Sequence, residues 1–134
     1  MGRKTWDQVL SFGAEMWPYG DRAVLIWSRK PEEVVIPDCR RNQACAYDLL
    51  PSEMIELVKQ KGYNHIYIDG GSTIQGFQRA GLIDEYVLSR LPVLLGSGIP
   101  LFDNNDAGSI QKLDHLRTKT FSNGIVQSHY RVKR

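Results

Sequence analysis

The chain has 134 residues, 42% of them hydrophobic and 24% charged, with a formal net charge of +2. That length suits one domain, residues 1–134, around a single core, and the composition is that of an ordinary soluble globular protein. So small a net charge argues against a nucleic-acid partner, and no apolar run approaches the roughly 20 residues that cross a bilayer.

In chain order, Met1-Gly2-Arg3-Lys4-Thr5-Trp6 reads as a strand end running into a helix over 5–12, with Thr5 as N-cap and Gly13 as terminator. Residues 23–27 (Ala-Val-Leu-Ile-Trp) form a continuous apolar run of strand length, the pattern of a strand covered on both faces. Ser28-Arg29-Lys30 follows at its carboxyl end, then a charged, proline-containing loop to residue 42. A short strand is predicted over 43–47.

Pro51 opens a helix to Lys61 with Met54, Ile55 and Val58 as its buried stripe, and Gly62 closes it. A strand over 64–68 leads into Asp69-Gly70-Gly71, and a helix over 72–80 buries Ile74 and Phe77. From Ile83 the pattern turns to β: a long strand over 83–95, a loop over 96–100, and a hairpin of 110–121 and 125–132. Asn123-Gly124 predicts a type I′ turn between them. The order predicts an α/β fold, a mixed sheet flanked by helices with a C-terminal antiparallel β-hairpin.

Chemistry-bearing residues gather at strand ends. The junctions at Gly2-Arg3-Lys4-Thr5 and Gly70-Gly71-Ser72-Thr73 each place glycine, hydroxyl groups and unpaired N–H groups at a helix N-terminus, where phosphate binds well. Two such junctions predict a nucleotide with several phosphates. Asp69 ends a strand beside one of them, facing the expected ligand cleft. Cys39 and Cys45 lack metal-ligand spacing, so no metal is expected, and a reduced cytoplasmic protein is the simpler reading. His65, His115 and His129 are scattered, and no nucleophile–base pair or acidic pair has interpretable spacing, so the catalytic group is unassigned. A cofactor would then supply the chemistry, and hydride transfer fits.

Five strings resemble the dihydrofolate reductase superfamily, in its branch containing the riboflavin-biosynthesis reductase (RibD C-terminal) domain. They are Met1-Gly-Arg-Lys-Thr-Trp6, Trp27-Ser-Arg-Lys30, Ile66-Tyr-Ile-Asp-Gly-Gly-Ser72, Ala80-Gly-Leu-Ile-Asp-Glu-Tyr86 and Pro92-Val-Leu-Leu-Gly-Ser-Gly-Ile-Pro-Leu-Phe102. They stand in the family's order across nearly the whole chain. The resemblance implies NADPH as cofactor, with Gly2, Arg3, Lys4 and Thr5 on phosphate groups. It places Ser28 and Arg29 at the adenosine 2′-phosphate, and Gly70, Gly71, Ser72 and Thr73 at the pyrophosphate. Asp69, Leu95 and Gly96 fall on the substrate side.

The implied reaction is hydride transfer to a heterocycle, of the phosphoribosylaminouracil reductase or dihydrofolate reductase type. The alternative is a noncatalytic nucleotide-binding or oligomeric remnant of that fold. The family ordinarily carries a strand and a further stretch before the Gly-Arg-Lys-Thr motif, so the fold is expected to be N-terminally truncated. Unpaired strand edges would then be covered in a homodimer or higher homo-oligomer.

Overall fold

The computed structural model describes residues 1–98, 100–102 and 110–134. They form two compact units, Met1–Ala80 and Gly81–Arg134.

In the first unit, α1 (Arg3–Ser11) is capped by the extended Gly2 rather than by Thr5. Its Trp6 and Val9 are buried, as the spacing of an amphipathic helix requires. Strand β1 (Val24–Trp27) pairs in parallel with β2 (Ala44–Tyr47), Val24 opposite Ala44 and Trp27 opposite Tyr47. Alternation sends Val24 and Ile26 to one face, where they form a core cluster with Trp6 and Ala44. Trp6 and Ile26 are fully buried, and the Trp6 indole N–H is satisfied by the Val35 carbonyl at 3.0 Å.

The opposite face of β1 meets the other two helices. In α2 (Pro51–Gln60), proline occupies the first turn and Glu53 reaches back to accept from the Leu50 N–H at 2.7 Å. Met54 and Val58 are its buried residues, whereas Ile55 is half-buried. In α3 (Gly71–Arg79), Phe77 is buried and Ile74 half-buried. Phe77 packs edge-on against Trp27 with ring centroids 5.9 Å apart, and Gly76 lets the helix backbone approach that indole. A strand covered on both faces is what the unbroken apolar run of β1 demands.

Residues 64–68 are not a strand. Ile66 and Ile68 supply the alternation of one, but no partner strand lies beside them among the described residues, and a ladder needs two.

The second unit is an antiparallel sheet in the order β3-β5-β4, built from β3 (Glu85–Arg90), β4 (Leu113–Thr120) and β5 (Val126–Val132). The strand expected over 83–95 is therefore shorter, and Pro92 lies beyond its end. A register shift between His115 and Arg117 bulges the edge strand β4, a feature that discourages edge-to-edge pairing. On one face Glu85 accepts from Arg131 Nη2 at 3.1 Å and lies 2.7 Å from His129 Nε2. These partners, His129 first, hold its carboxyl below the usual range.

The hairpin turn differs in type from expectation. Within the turn Gly124 alone has positive φ, at 83°, and among the described residues every non-glycine keeps φ negative, which excludes type I′. Gly124 N–H donates to the Phe121 carbonyl and Phe121 N–H to the Ile125 carbonyl, both at 2.9 Å. A three-residue loop of this kind needs only its last residue in the left-handed region.

Candidate functional site

The two predicted phosphate junctions, far apart in the chain, come together. Gly2 and Gly70 are the N-caps of α1 and α3, neither helix has a side-chain cap, and neither carries an acidic residue in its first turn. The two turns interlock: a Cβ added to Gly2 would stand 2.6 Å from Thr73 Oγ1, and one added to Gly70 would collide with Thr5 Oγ1. Gly2 N–H also donates to the Asp69 carbonyl at 3.4 Å. Two helix N-termini without side-chain caps lie side by side here, and each end carries the partial positive charge of its helix dipole and unpaired N–H donors.

The loop after β1 joins this place through an additional rung. Trp27 N–H donates to the Met1 carbonyl at 2.7 Å, and Gly2 bridges to Trp27 in parallel. Ser28 is buried, and its Oγ accepts from the Lys30 N–H at 3.1 Å, which shapes the turn. Arg3 donates to Glu33 at 3.2 Å and lies 3.7 Å from Asp7, while Lys30 meets Glu33 at 2.7 Å. Those hydrogen bonds, Lys30 foremost, hold the Glu33 carboxyl below its ordinary value. Arg3 is thus engaged, while the exposed Lys4 and Arg29 have no side-chain partner among the described residues.

Gly2, Arg3, Lys4, Thr5, Ser28, Arg29, Gly70, Gly71, Ser72 and Thr73 all belong to the first unit, around these junctions. Thr73 is buried and Ser72 exposed at the start of α3. Leu95 and Gly96 belong to the second unit, where Leu95 is 77% exposed and Gly96 has a φ of 72°. Of the loop over 96–100, Ile99 lies outside the described residues.

Asp69 lines a cavity of about 560 Å³ in the first unit, bounded by β1, α2, α3 and residues 63–69. Its neighbour there was not anticipated: the Tyr19 hydroxyl donates to Asp69 Oδ2 at 3.0 Å. Tyr19 is held by an aromatic series, stacked edge-on against Trp17 at 5.1 Å, with Trp17 in turn 5.9 Å from the buried Trp6. Burial first, then the hydrogen bond to Asp69 and its charge, push the Tyr19 phenol up to about 12. Sequence reasoning had no hold on this pair, because Tyr19 lies in an irregular segment and its partner is 50 residues away.

Among the described residues no group of histidine, cysteine and acidic side chains is arranged to hold a metal, and no helix is long and apolar enough to cross a membrane. Cys39 and Cys45 are exposed free thiols.

Fold and site together define a mixed α/β protein in which two glycine-capped helix starts meet beside the carboxyl end of β1. The chain belongs to the RibD C-terminal domain family, whose model matches residues 20–127. It is 30% identical over 133 residues to the uncharacterized protein YwjB of Bacillus subtilis, covering 97% of this chain and 70% of that one. To YyaP of the same organism it is 40% identical over 83 residues, 62% of this chain and 43% of that one. Among solved structures, a putative riboflavin biosynthesis protein from Shewanella sp. PV-4 superposes with a TM-score of 0.86 at 35% identity, over all of this chain and 72% of that one. A pyrimidine reductase-like protein from Corynebacterium diphtheriae has the same fold, with a TM-score of 0.60 at 20% identity over 90% of this chain and 52% of that one.

Proposed function

We propose that the chain binds NADPH and serves a reductase of the riboflavin-biosynthesis type, acting on a heterocyclic substrate. The observation that carries this reading is the interlock of Gly2 with Thr73 and of Gly70 with Thr5, which brings two uncapped helix N-termini to one place. A pyrophosphate fits that chemistry, since helix N-termini without side-chain caps leave backbone N–H groups to donate to its oxygens.

Ser28 and Arg29 follow β1 on the same side, and the unengaged guanidinium of Arg29 suits the terminal 2′-phosphate that distinguishes NADPH from NADH. When bound, the reduced nicotinamide supplies the hydride. The protein's part is to anchor the phosphates and to present Asp69, its carboxylate oriented by Tyr19, toward the cavity. The Asp69 oxygen not bound to Tyr19 is available to accept from an N–H of a substrate.

Membership in a family with riboflavin-biosynthesis and pyrimidine reductase-like neighbours in structure supports the reaction class. The test is the loss of reduced-nicotinamide absorbance when the protein, NADPH and an aminopyrimidine substrate are combined. Turnover sustains the reductase reading. NADPH binding without turnover of any heterocycle assigns the chain to nucleotide binding alone.

A further inference from the structure

Arg3, Asp7, Lys30 and Glu33 meet where α1 joins the loop after β1, with Glu33 as the hub. Its Oε2 accepts from Arg3 Nη1 at 3.2 Å and its Oε1 from Lys30 Nζ at 2.7 Å. Arg3 also lies 3.7 Å from Asp7, one turn along its own helix. Arg3 opens α1 beside Gly2, and Lys30 directly follows Arg29. One carboxylate therefore takes a cation from each of the segments that border the candidate cofactor site. The arrangement copies that of a bound phosphate monoester, with oxygens shared between a guanidinium and an ammonium.

The backbone beneath Glu33 is held on both sides. Its N–H donates to the Lys30 carbonyl at 3.2 Å within a single 3-10 turn, Pro31–Glu33, and Val34 N–H donates to the Pro31 carbonyl at 3.1 Å. Just beyond, Val34 and Ile36 pack against the core cluster, and the Val35 carbonyl takes the Trp6 indole N–H. The side chain has no such anchorage: it is 46% exposed, and its partners Arg3 and Lys30 are 39% and 64% exposed. Ion pairs so exposed are weak and screened by salt. Rotation of one side chain thus frees both cations while the main chain stays in place. Glu32 beside it is exposed too, with no ion pair among the described residues.

We propose that Glu33 is a built-in competitor for the 2′-phosphate of the cofactor, an inference that rests on the NADPH reading of this site. In the free protein it occupies Arg3 and Lys30. A phosphate monoester, with about two negative charges at neutral pH, displaces it and takes both cations alongside Arg29. A singly charged anion gains no more from those cations than the tethered carboxylate does. NADH, whose adenosine ribose carries no phosphate there, leaves the pairs intact. Glu33 therefore keeps singly charged anions off the anchor. It also loosens the hold on reduced and oxidised cofactor alike, which favours exchange of the spent form for a fresh one.

The test titrates the full chain with NADPH and with NADH by calorimetry and follows cofactor release by stopped flow. Glu33→Gln keeps the shape of the side chain and removes its charge. It is expected to bind NADPH about three- to tenfold tighter, the range for two exposed ion pairs, through slower release. NADH affinity should stay within about twofold of the wild type, since charges not in contact are screened. Glu32→Gln removes the same charge one residue away and should shift neither cofactor by more than about twofold. The gain from Glu33→Gln should shrink in an Arg3→Ala background, a coupling that a double-mutant cycle reads directly. Unchanged or weaker NADPH binding by Glu33→Gln would overturn the proposal and leave the contact structural. Equal tightening by Glu32→Gln, or of NADH by Glu33→Gln, would overturn it in favour of a net-charge effect. A wild type and variants that bind neither cofactor would overturn the NADPH reading itself, and this inference with it.

Discussion

Gly2 and Thr73 stand face to face where α1 and α3 begin, so close that a Cβ on the glycine would lie 2.6 Å from the threonine Oγ1. Gly70 and Thr5 repeat the arrangement in reverse. Each helix start therefore accommodates the other's hydroxyl residue, and this mutual fit brings the two helix starts together. Gly70 is further constrained by its φ of 94°, a region costly for any side chain.

Gly70→Ala is expected to destabilise the protein by about 1–3 kcal/mol, through backbone strain and the collision with Thr5. NADPH binding should weaken more than stability alone explains, because the two turns are pushed apart. Urea unfolding and cofactor titration on the same variant check both parts. Unaltered NADPH affinity in a folded variant would detach the junction from cofactor binding.

Arg29→Ala addresses the adenosine end. The variant should lose roughly tenfold or more in NADPH affinity, the scale of a charge-assisted hydrogen bond, and should leave NADH affinity unchanged. Equal effects on the two cofactors would remove Arg29 from the 2′-phosphate.

Gly76→Ala separates packing from propensity. Alanine is favoured over glycine within a helix by about 1 kcal/mol, yet a Cβ here would stand 2.6 Å from Cη2 of Trp27. That indole cannot easily withdraw, since its N–H donates to the Leu49 carbonyl at 2.6 Å and its ring packs on Phe77. Overpacking should win, with a net loss of about 1–3 kcal/mol, and a Trp27→Phe change in the same chain should restore part of it. Chemical denaturation of the single and double variants measures the coupling.

Tyr19 makes stability pH-dependent at the alkaline end. Its phenol titrates near 12 in the folded protein against 10.0 when unperturbed, so the folded state holds the proton more tightly. The stabilisation is complete below pH 10 and is lost as pH rises toward 12, where the unfolded chain has already released that proton. Unfolding free energy should therefore fall more steeply across this window in the wild type than in Tyr19→Phe. Parallel curves would mean that the Tyr19–Asp69 hydrogen bond contributes nothing there.

The parts of the site written in contiguous residues were legible before the structure. Gly2-Arg3-Lys4-Thr5 and Gly70-Gly71-Ser72-Thr73 declare helix starts through residue type alone, and the apolar run of β1 declares its two-sided burial. Their meeting was not legible, because the contact of Gly2 with Thr73 depends on a chain path that no local pattern encodes. Residues 64–68 show the limit from the other side: alternation marks a segment suited to a ladder, but a strand exists only beside its partner. The turn at Asn123-Gly124 was placed correctly and typed incorrectly, since loop length decides how many residues must enter the left-handed region. Tyr19 was invisible for the same reason as the interlock, its role arising wholly from Asp69.

The most direct measurement is a calorimetric titration of the chain with NADPH, with NADH alongside. The interlocked helix starts and the unengaged Arg29 predict saturable NADPH binding, at least tenfold tighter than NADH. Absence of binding, or equal affinity for the two cofactors, would contradict the reading of these turns as an NADPH site.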